Sequence, residues 1–315
     1  MRIAFLADPL AHFKIYKDST FAMMREAARR GHTLYAFEQP EMRVDAGRVK
    51  ATMREIRLTG DAATWYEVVS ESVIDLSTLD AVIMRKDPPF DSEYLYATHL
   101  LEHAERQGAR VFNKPRALRD YNEKLAILRF AQFTAPTLVS SQADDIRAFL
   151  AEHGDIVVKP LDGMGGMGIF RLRPDDPNIG AILETQTQDG RVTLMAQRYL
   201  PAIKDGDKRV LLIAGKPVDW CLARIPKQGE TRGNLAAGGT GVARPLTARD
   251  REIAEAIGPV VAADGLLLVG LDVIGDNLTE VNVTSPTCFQ EITEQSGINV
   301  AGLFIDALEA AVSRT

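Results

Sequence analysis

The stretch VVKPLDGMGGMGIF, residues 157–170, places four glycines in six positions directly after a short apolar run. Gly163, Gly165 and Gly168 reproduce the G-x-G-x-x-G spacing of dinucleotide-binding proteins. In those proteins the glycines must open a helix, because the helix N-terminus holds the pyrophosphate. The segment that follows the loop therefore decides which fold the chain adopts.

That segment has the pattern of a strand. Phe170 and Leu172 alternate with Arg171 and Arg173, and Pro174 and Pro177 rule out a long helix immediately after the loop. The sequence predicts a glycine-rich turn between two strands, which disfavours an NAD-dependent oxidoreductase. Protein kinases also hold phosphates under a glycine-rich hairpin, but their HRD and DFG motifs are absent from this sequence.

The loop alone favours phosphate binding only weakly, because many glycine-rich hairpins are no more than permissive turns. Lys159, at the end of the strand before the loop, strengthens the expectation, since a lysine there can reach a polyphosphate as a point charge. The alternative for Lys159 is a solvated strand end.

Residues 271–283, LDVIGDNLTEVNV, have the pattern of a β-hairpin between apolar strands. With the turn at 275–277, Ile274 is expected to face Leu278. Because side chains alternate between the two faces of a strand, polar and apolar residues of this stretch separate onto opposite faces.

Asp272, Glu280 and Asn282 are predicted to share the polar face of this hairpin, with Asp272 opposite Glu280. Two facing carboxylates repel each other, and a divalent cation removes that repulsion. An all-oxygen set of ligands suits Mg²⁺ rather than zinc. The alternative is a solvent-exposed polar face, and the apolar strands on both sides favour the metal.

The first third of the chain alternates short apolar runs with amphipathic segments. Strands are expected at 2–8, 33–38, 80–86 and 109–113, with helices at 19–31 and 92–108. Ser19 is the expected cap of the first helix and Gly31 its stop. Alternating strands and helices predict βαβ units and a parallel sheet. Residues 39–78 have a less clear pattern, with a hairpin and a short helix expected.

The remaining two thirds are predicted to hold helices at 122–131, 143–154, 248–264 and 300–312, and strands at 137–141, 155–160, 168–174, 193–200, 208–214, 217–225, 266–275 and 278–283. Thr247 and Asp250 form a capping-box-like helix start. The polar, glycine-bearing segment 226–241 has no periodicity, which is typical of a lid or a disordered piece.

Composition describes a soluble globular protein, with 46% apolar and 25% charged residues over 315 positions. The net charge of −6 gives no basic field that would attract nucleic acid or anionic lipid. Cys221 and Cys288 have no metal-like spacing and suit a reducing compartment. The N-terminal apolar run is too short for a signal segment, and the chain contains no run of transmembrane length. We therefore expect a cytoplasmic protein without membrane or nucleic-acid partners.

Several long stretches together resemble the bacterial glutathione synthetase family of ATP-grasp ligases, over essentially the whole chain. They are KDST (17–20), MRKDPPFD (84–91), NKPRALRDYNEK (113–124), KPLDGMGG (159–166), YLPAIKDGDKRV (199–210), ARIPKQGETRGNLAAGG (223–239) and LTEVNVTSPT (278–287). The resemblance implies an α/β (α+β) chain, in which a Rossmann-like parallel-sheet domain, 1–121, precedes an ATP-grasp fold. The expected ATP-grasp parts are 122–200, with the glycine-rich loop, and 201–315, with the lid and the metal site.

The resemblance implies ATP-dependent joining of γ-glutamylcysteine to glycine through an acyl phosphate, with two Mg²⁺ ions, or Mn²⁺ in their place. It also implies a homotetramer. Two alternatives stay open: another ATP-grasp ligase with a different acid or amine, and a nucleotide-binding regulator without turnover. A phosphate-release assay with γ-glutamylcysteine, with and without glycine, distinguishes them.

The residues that match the family's motifs carry its roles. ATP contacts are implied for Lys124, Lys159, Gly163, Gly165, Gly166, Gly168, Gln197, Arg198, Tyr199, Leu200 and Asp207, and metal contacts for Asp272, Glu280 and Asn282. Dipeptide or glycine contacts are implied for Lys17, Asp18, Arg85, Ser285, Pro286 and Thr287, and catalytic roles for Arg209, Arg224 and the lid residue Arg232. A smaller residue than Arg198 is expected beside the ribose in that family.

Overall fold

Three β-sheets carry the fold in the part of the chain that the computed structural model describes, which is residues 1–229, 233 and 238–313. The first sheet contains seven strands, the second four and the third five. They follow one another along the chain without exchanging strands. None of the described helices is long and apolar enough to cross a membrane.

The first sheet is mixed, although its centre is parallel as predicted. Its elements are β1 (Arg2–Leu6), α1 (Ser19–Arg29), β2 (Thr33–Phe37), β3 (Met42–Asp45), β4 (Arg48–Leu58), β5 (Tyr66–Asp75), β6 (Ala81–Met84), α2 (Ser92–Arg106), β7 (Val111–Phe112) and α3 (Pro115–Asp120). Strands β2, β1, β6 and β7 are parallel neighbours. Strands β3, β4 and β5 extend the sheet in antiparallel fashion, in the region whose pattern was unclear.

The start of α1 corrects the predicted cap. Asp18, and not Ser19, is the N-cap, and its Oδ1 accepts a 2.7 Å hydrogen bond from the Phe21 backbone N–H. Ser19 is already helical, and its hydroxyl oxygen accepts from the Phe289 backbone N–H at 3.2 Å. The Ser19 side chain, which the local pattern assigned to the cap, therefore binds a backbone N–H from a distant part of the chain instead.

The second sheet carries the glycine-rich loop. A 3₁₀ helix (Leu125–Phe133) leads into β8 (Thr137–Ser140), α4 (Ala143–His153), β9 (Ile156–Pro160), β10 (Phe170–Leu172), α5 (Ile179–Thr187) and β11 (Leu194–Arg198). Strands β9 and β10 are antiparallel, with Phe170 opposite Val158, so the predicted turn between two strands is confirmed.

Two elements of this part differ from expectation. The helix predicted at 122–131 begins later and is a 3₁₀ helix with non-helical geometry at Phe130. Its start is set by Asn122, whose Oδ1 accepts from the backbone N–H groups of Lys124 and Leu125 at 3.1 and 3.0 Å. Helix α5 was not predicted.

The third sheet has the strand order β14-β13-β12-β15-β16. Its elements are β12 (Asp207–Ile213), β13 (Lys216–Ile225), β14 (Thr240–Pro245), α6 (Ala248–Ala263), β15 (Leu268–Ile274), β16 (Asn277–Asn282), α7 (Phe289–Ser296) and α8 (Val300–Ser313). The capping box of Thr247 and Asp250 at the start of α6 is confirmed. Strand β14 and helix α7 were not predicted, and β14 begins inside the segment that was expected to be a loop.

The second sheet packs on a hydrophobic cluster of its own. Ile146 and Leu150 of α4, Ile156 and Val158 of β9 and Leu183 of α5 belong to it. The first and third sheets instead share two larger clusters that include residues of both. Met195 of β11 and Ile127 and Phe130 of the 3₁₀ helix belong to one of these larger clusters, so the second sheet also packs against the rest of the molecule.

Candidate active site

The hairpin of β15 and β16 brings two carboxylates face to face. Asp272 pairs with Glu280, as predicted. The predicted pairing of Ile274 with Leu278 is wrong, because Ile274 pairs with Asn277. The turn is one residue shorter than expected, and an irregularity in the pairing next to Asp272 restores the register.

Most of the predicted site residues line one cavity of ≈ 330 Å³ between the second and third sheets. They are Lys124, Lys159, Gly163, Gly165, Gly166, Gln197, Arg198, Tyr199, Leu200, Asp207, Arg209, Arg224, Asp272, Glu280, Asn282, Ser285 and Thr287. These residues come from β9, β11, β12, β13, β15 and β16, from the segments after β9, β11 and β16, and from the position directly before the 3₁₀ helix. The cavity therefore brings together groups that are far apart in the sequence.

The floor of the cavity, which we define as Asp207, Arg209, Arg224 and Asp272, is a buried cluster of two positive and two negative charges. Arg209 Nε lies 2.6 Å from Asp272 Oδ1, and Arg224 Nη2 lies 2.8 Å from Asp272 Oδ2. Although burial opposes it, the charges of these two arginines hold the pKa of the Asp272 carboxyl well below its usual range. Asp272 is therefore ionised throughout the neutral range.

Asp207 completes the floor and keeps one oxygen unused. Its Oδ2 accepts from Arg224 Nη2 at 2.6 Å, while its buried Oδ1 has no hydrogen-bond partner among the described residues. Burial raises the pKa of Asp207 to about 6. A buried carboxylate oxygen without a donor is costly, so this atom is suited to accept from a bound ligand.

Two buried lysines, Lys124 and Lys159, contact the hairpin of β15 and β16. Lys124 Nζ donates to the Gly163 carbonyl oxygen at 2.6 Å and lies 3.2 Å from Glu280 Oε1. Lys159 Nζ donates to the Thr279 carbonyl oxygen at 3.2 Å, and burial lowers the pKa of Lys159 to about 8. The pair can bind an anion and connects the loop to the hairpin.

The donor set at the hairpin is made of oxygen atoms. Asn282 donates its Nδ2–H to the Gly270 carbonyl oxygen at 3.1 Å, so Oδ1 is the atom that a cation would take. Within the described ranges, no three His, Cys, Asp or Glu side chains form a group that could hold a metal ion. Two carboxylates and one amide suit Mg²⁺, which usually takes few protein ligands and completes its shell with water and phosphate oxygens.

The geometry of the glycine-rich loop requires its glycines. Gly165 and Gly166 have φ values of +62° and +86°, which L side chains rarely adopt. At Gly163 a Cβ atom would lie 2.8 Å from Pro160 Cγ. Gly168 also has a positive φ but lies outside the described lining of the cavity. The loop can therefore expose backbone N–H groups towards the cavity.

Four residues that were predicted to contact substrates also lie outside that lining: Lys17, Asp18, Arg85 and Pro286. Arg85 is buried and donates to Thr20 Oγ1 at 3.0 Å and to the Pro286 carbonyl oxygen at 2.9 Å. It therefore holds the segment after β16 against the first sheet. The substrate contacts assigned to these residues stay predictions.

The predicted lid is described only in part. Arg232 and its neighbours at 230–231 and 234–237 lie outside the described residues. Gly233 is described and lines the cavity. The predicted lid function of 226–241 and the catalytic role of Arg232 stay predictions.

Glu123 is a site residue that the sequence reasoning did not identify. Its Oε1 accepts hydrogen bonds from Val283 N, Thr284 N and Thr284 Oγ1 at 2.8, 3.0 and 2.9 Å. Burial, followed by the neighbouring carboxylate of Glu280, raises the pKa of Glu123. Its position directly before Lys124 was the available clue. Glu123 connects the start of the 3₁₀ helix (Leu125–Phe133) to the segment that follows the hairpin.

Comparison with known families agrees with this geometry. Residues 1–119 match the prokaryotic glutathione synthetase N-terminal domain, and residues 123–297 match the prokaryotic glutathione synthetase ATP-grasp domain. The chain belongs to the prokaryotic glutathione synthetase family. A glutathione synthetase of Ralstonia nicotianae is 60% identical over 314 residues, which cover 100% of this chain and 97% of the relative. One of Nitrosomonas europaea is 61% identical over 318 residues, with 100% and 99% covered.

Solved structures of low sequence identity share the fold of this glutathione synthetase family member. The D-cycloserine synthetase DcsG superposes with a TM-score of 0.68 at 16% identity and covers 98% of this chain and 99% of its own. The ATP-grasp ligase PsnB, solved with a precursor peptide and AMPPNP, gives a TM-score of 0.63 at 19% identity, with 99% and 98% covered. The predicted ATP-grasp fold is confirmed.

Proposed function

We propose that the chain joins γ-glutamylcysteine to glycine at the expense of ATP and releases glutathione, ADP and phosphate. The observation that carries the proposal is the meeting of a glycine-rich loop, two buried lysines and the hairpin carboxylates in one cavity. Relatives named glutathione synthetase, which are about as long as this chain and 60–61% identical to it, support the choice of substrates.

The nucleotide is proposed to lie between the two sheets. Lys124 and Lys159 bind its phosphates, and backbone N–H groups of the loop, 163–168, close over them. The stretch Gln197 to Leu200 lines the adenine, with Arg198 at the ribose side. The unused Oδ1 of Asp207 accepts from a ribose hydroxyl.

Asp272, Glu280 and Asn282 would hold two Mg²⁺ ions, with Mn²⁺ as the alternative. When bound, such ions neutralise phosphate charge and so make the γ-phosphate open to attack by an anion. Asp272 stays ionised for this purpose because Arg209 and Arg224 flank it.

The chain's own residues act on the peptide side of the reaction. The cysteinyl carboxylate of the dipeptide attacks the γ-phosphate, and Arg209 and Arg224 lie where charge on the acyl phosphate and the tetrahedral intermediate is stabilised. Glycine binds at Ser285, Pro286 and Thr287, and its amine displaces phosphate. The charged ends of the dipeptide are proposed to bind to Lys17, Asp18 and Arg85.

The segment 226–241, with Arg232, is proposed to close over the reacting groups. Its purpose is to keep water away, because water would hydrolyse the acyl phosphate before glycine attacks. The family resemblance adds a homotetramer to the proposal, and the cysteine usage and the absence of a transmembrane run in the sequence add a cytoplasmic location.

A phosphate-release assay tests the proposed function. With ATP and Mg²⁺, we expect little release without the dipeptide, and full release coupled one-to-one to glutathione when γ-glutamylcysteine and glycine are both present. Release with a different acid or amine only would assign another ATP-grasp ligation. Nucleotide binding without release under any pair of substrates would assign a regulator.

A further inference from the structure

The methionine side chains divide sharply by exposure. Met164 and Met167 in the glycine-rich loop are 37% and 63% exposed. Six others are at most 8% exposed, namely Met23, Met24, Met42, Met53, Met84 and Met195, and Met1 is half-buried. All nine lie in the described part of the chain. The most accessible thioethers therefore share a single loop.

The two cysteines do not compete with these methionines as targets of oxidation. Cys221 is 0% exposed and Cys288 is 1% exposed. Burial raises the pKa of the Cys221 thiol to about 11, and burial raises the pKa of Cys288 as well. The thiolate is the form that peroxides oxidise, so both cysteines are poor targets compared with an exposed thioether.

Both exposed methionines also line the cavity. They form one turn, in which Met167 N donates to the Met164 carbonyl oxygen at 3.1 Å, and Ile169 extends the apolar lining beside them. These side chains therefore belong to the surface that faces the nucleotide in the proposed function, and both are exposed to solvent in this structure.

We propose that Met164 and Met167 form a reversible oxidation site through which hydrogen peroxide weakens nucleotide binding. The thioether sulfur attacks one peroxide oxygen, the O–O bond breaks, and an S–O bond forms. The sulfur loses two electrons, the peroxide is reduced to water, and methionine becomes its sulfoxide. A sulfoxide reductase supplied with two thiols reverses the step, giving the thioether, a disulfide and water.

The consequence follows from the chemistry of the side chain. Oxidation converts a flexible apolar group into a polar one. A polar S=O group on the loop has to be desolvated when the loop closes over the phosphates, so the closed form loses stability relative to the open form. The inference rests on the proposed function, in which the loop covers ATP.

The test treats the purified full-length chain with hydrogen peroxide and locates oxygen addition by peptide mass spectrometry. We expect Met167 and then Met164 to be oxidised before the six buried methionines, and the non-hydrolysable analogue AMPPNP with Mg²⁺ to slow both. The ATP dissociation constant, measured by calorimetry, should rise at least about fivefold and recover after treatment with a methionine sulfoxide reductase and dithiothreitol.

Matched variants distinguish the effect of oxidation at Met164 and Met167 from the effect of general oxidative damage. A double variant, M164L/M167L, should retain after peroxide the nucleotide affinity that it had before treatment, whereas M195L should lose affinity as the unsubstituted chain does. Oxidation of the buried methionines first, or complete oxidation of both loop methionines without a change in affinity, would overturn the inference. Failure of the untreated chain to bind ATP would instead reject the proposed function.

Discussion

The floor of the cavity (Asp207, Arg209, Arg224 and Asp272) consists of buried, ion-paired side chains on the third sheet, whereas its cover, residues 163–168, is a turn on the second sheet with exposed methionines. Strand pairing on both sides holds the floor strands β12 and β15. The cover lies on a sheet that packs on a separate hydrophobic cluster, while Met195 of the same sheet packs in a larger core.

This contrast separates two tasks of one site. Charged groups that are held in place before the substrate arrives stabilise developing charge without reorganisation, which is the role that the proposed function gives to the floor. A loop with few packed side chains opens and closes at low cost, which is the role that the proposed function gives to the cover. Changes in the floor should therefore reduce stability and turnover, while changes near the cover should reduce nucleotide affinity.

The largest effect is expected at the centre of the floor. Asp272→Ala leaves Arg209 and Arg224 without their shared partner, so we expect about 3–5 kcal/mol less stability and about 1000-fold less glutathione formation. Urea unfolding and a coupled ADP assay measure the two. Asp276→Asn, on the exposed turn of the same hairpin, is the control and should change neither. Near-normal turnover in Asp272→Ala would contradict the assigned floor.

A smaller effect is expected at Glu123, which binds the segment that follows the hairpin of β15 and β16. Glu123→Ala removes the acceptor of three hydrogen bonds and leaves two buried N–H groups unpaired, at about 1–3 kcal/mol for each. Since the bonds hold Thr284, we expect the KM for glycine to rise about tenfold, with the KM for ATP changed less.

Two variants control the Glu123 experiment. Glu123→Gln keeps an acceptor oxygen and should restore most of the glycine affinity, and Glu152→Ala removes a carboxylate that is 74% exposed and should have no effect. Equal increases in both KM values for Glu123→Ala would identify a general structural role rather than the positioning of the glycine segment.

Lys159 lies between floor and cover and predicts a dependence on pH. Its pKa is about 8, so above that pH the free protein carries a neutral amine, and binding of ATP must take up a proton. We expect ATP affinity to fall by up to about tenfold per pH unit above 8. Calorimetry between about pH 7 and 9.5 measures the ATP affinity. The variant Lys159→Met should bind ATP weakly at every pH in this range.

The same group has the opposite effect on stability. Between about pH 8 and the ordinary lysine value of 10.5, the unfolded chain holds the proton and the folded chain does not. Its contribution to the free energy of unfolding therefore rises with pH in this range while nucleotide affinity falls. Affinity that stays constant across the range would show that Lys159 does not pair with the phosphates.

The hairpin illustrates what local patterns can and cannot establish. Alternation along β15 and β16 was enough to place Asp272 opposite Glu280. The turn length was one residue too long in the prediction, and the irregular pairing next to Asp272 compensated for it. The pairing at the site was therefore correct although the pairing of Ile274 was not.

Contacts between distant parts of the chain limit what can be predicted from the sequence. The carbonyl oxygen that Arg85 binds lies 201 positions along the chain, and the amide groups that Glu123 holds lie 160 and 161 positions away. No periodicity in either neighbourhood encodes such partners. The residue types of the floor could be identified from the sequence, but the pairing of Arg224 with both Asp207 and Asp272 required the assembled sheet.

The smallest effect is expected beside the cover, where Arg171 supports the proposed adenine-binding stretch. Its guanidinium carbon lies 3.5 Å from the centre of the Tyr199 ring, and its Nε and Nη2 donate to Asp155 at 2.8 and 2.6 Å. Asp155 also accepts from the Tyr199 backbone N–H through its carbonyl oxygen at 2.9 Å. Arg171 thus follows the cover in sequence and holds the stretch that the cover closes against in the proposed function.

Arg171→Ala should raise the ATP dissociation constant about two- to fivefold, since a partly exposed cation–π contact contributes about 0.5–1 kcal/mol, and should leave turnover at saturating ATP unchanged. Arg173→Ala is the matched control, because Arg173 is 56% exposed and its Nε lies 3.8 Å from Asp155. A loss of turnover at saturating ATP in Arg171→Ala would show that the contact between Arg171 and Tyr199 contributes to turnover, which is the role assigned to the floor. The division of roles between floor and cover would then fail within the second sheet itself.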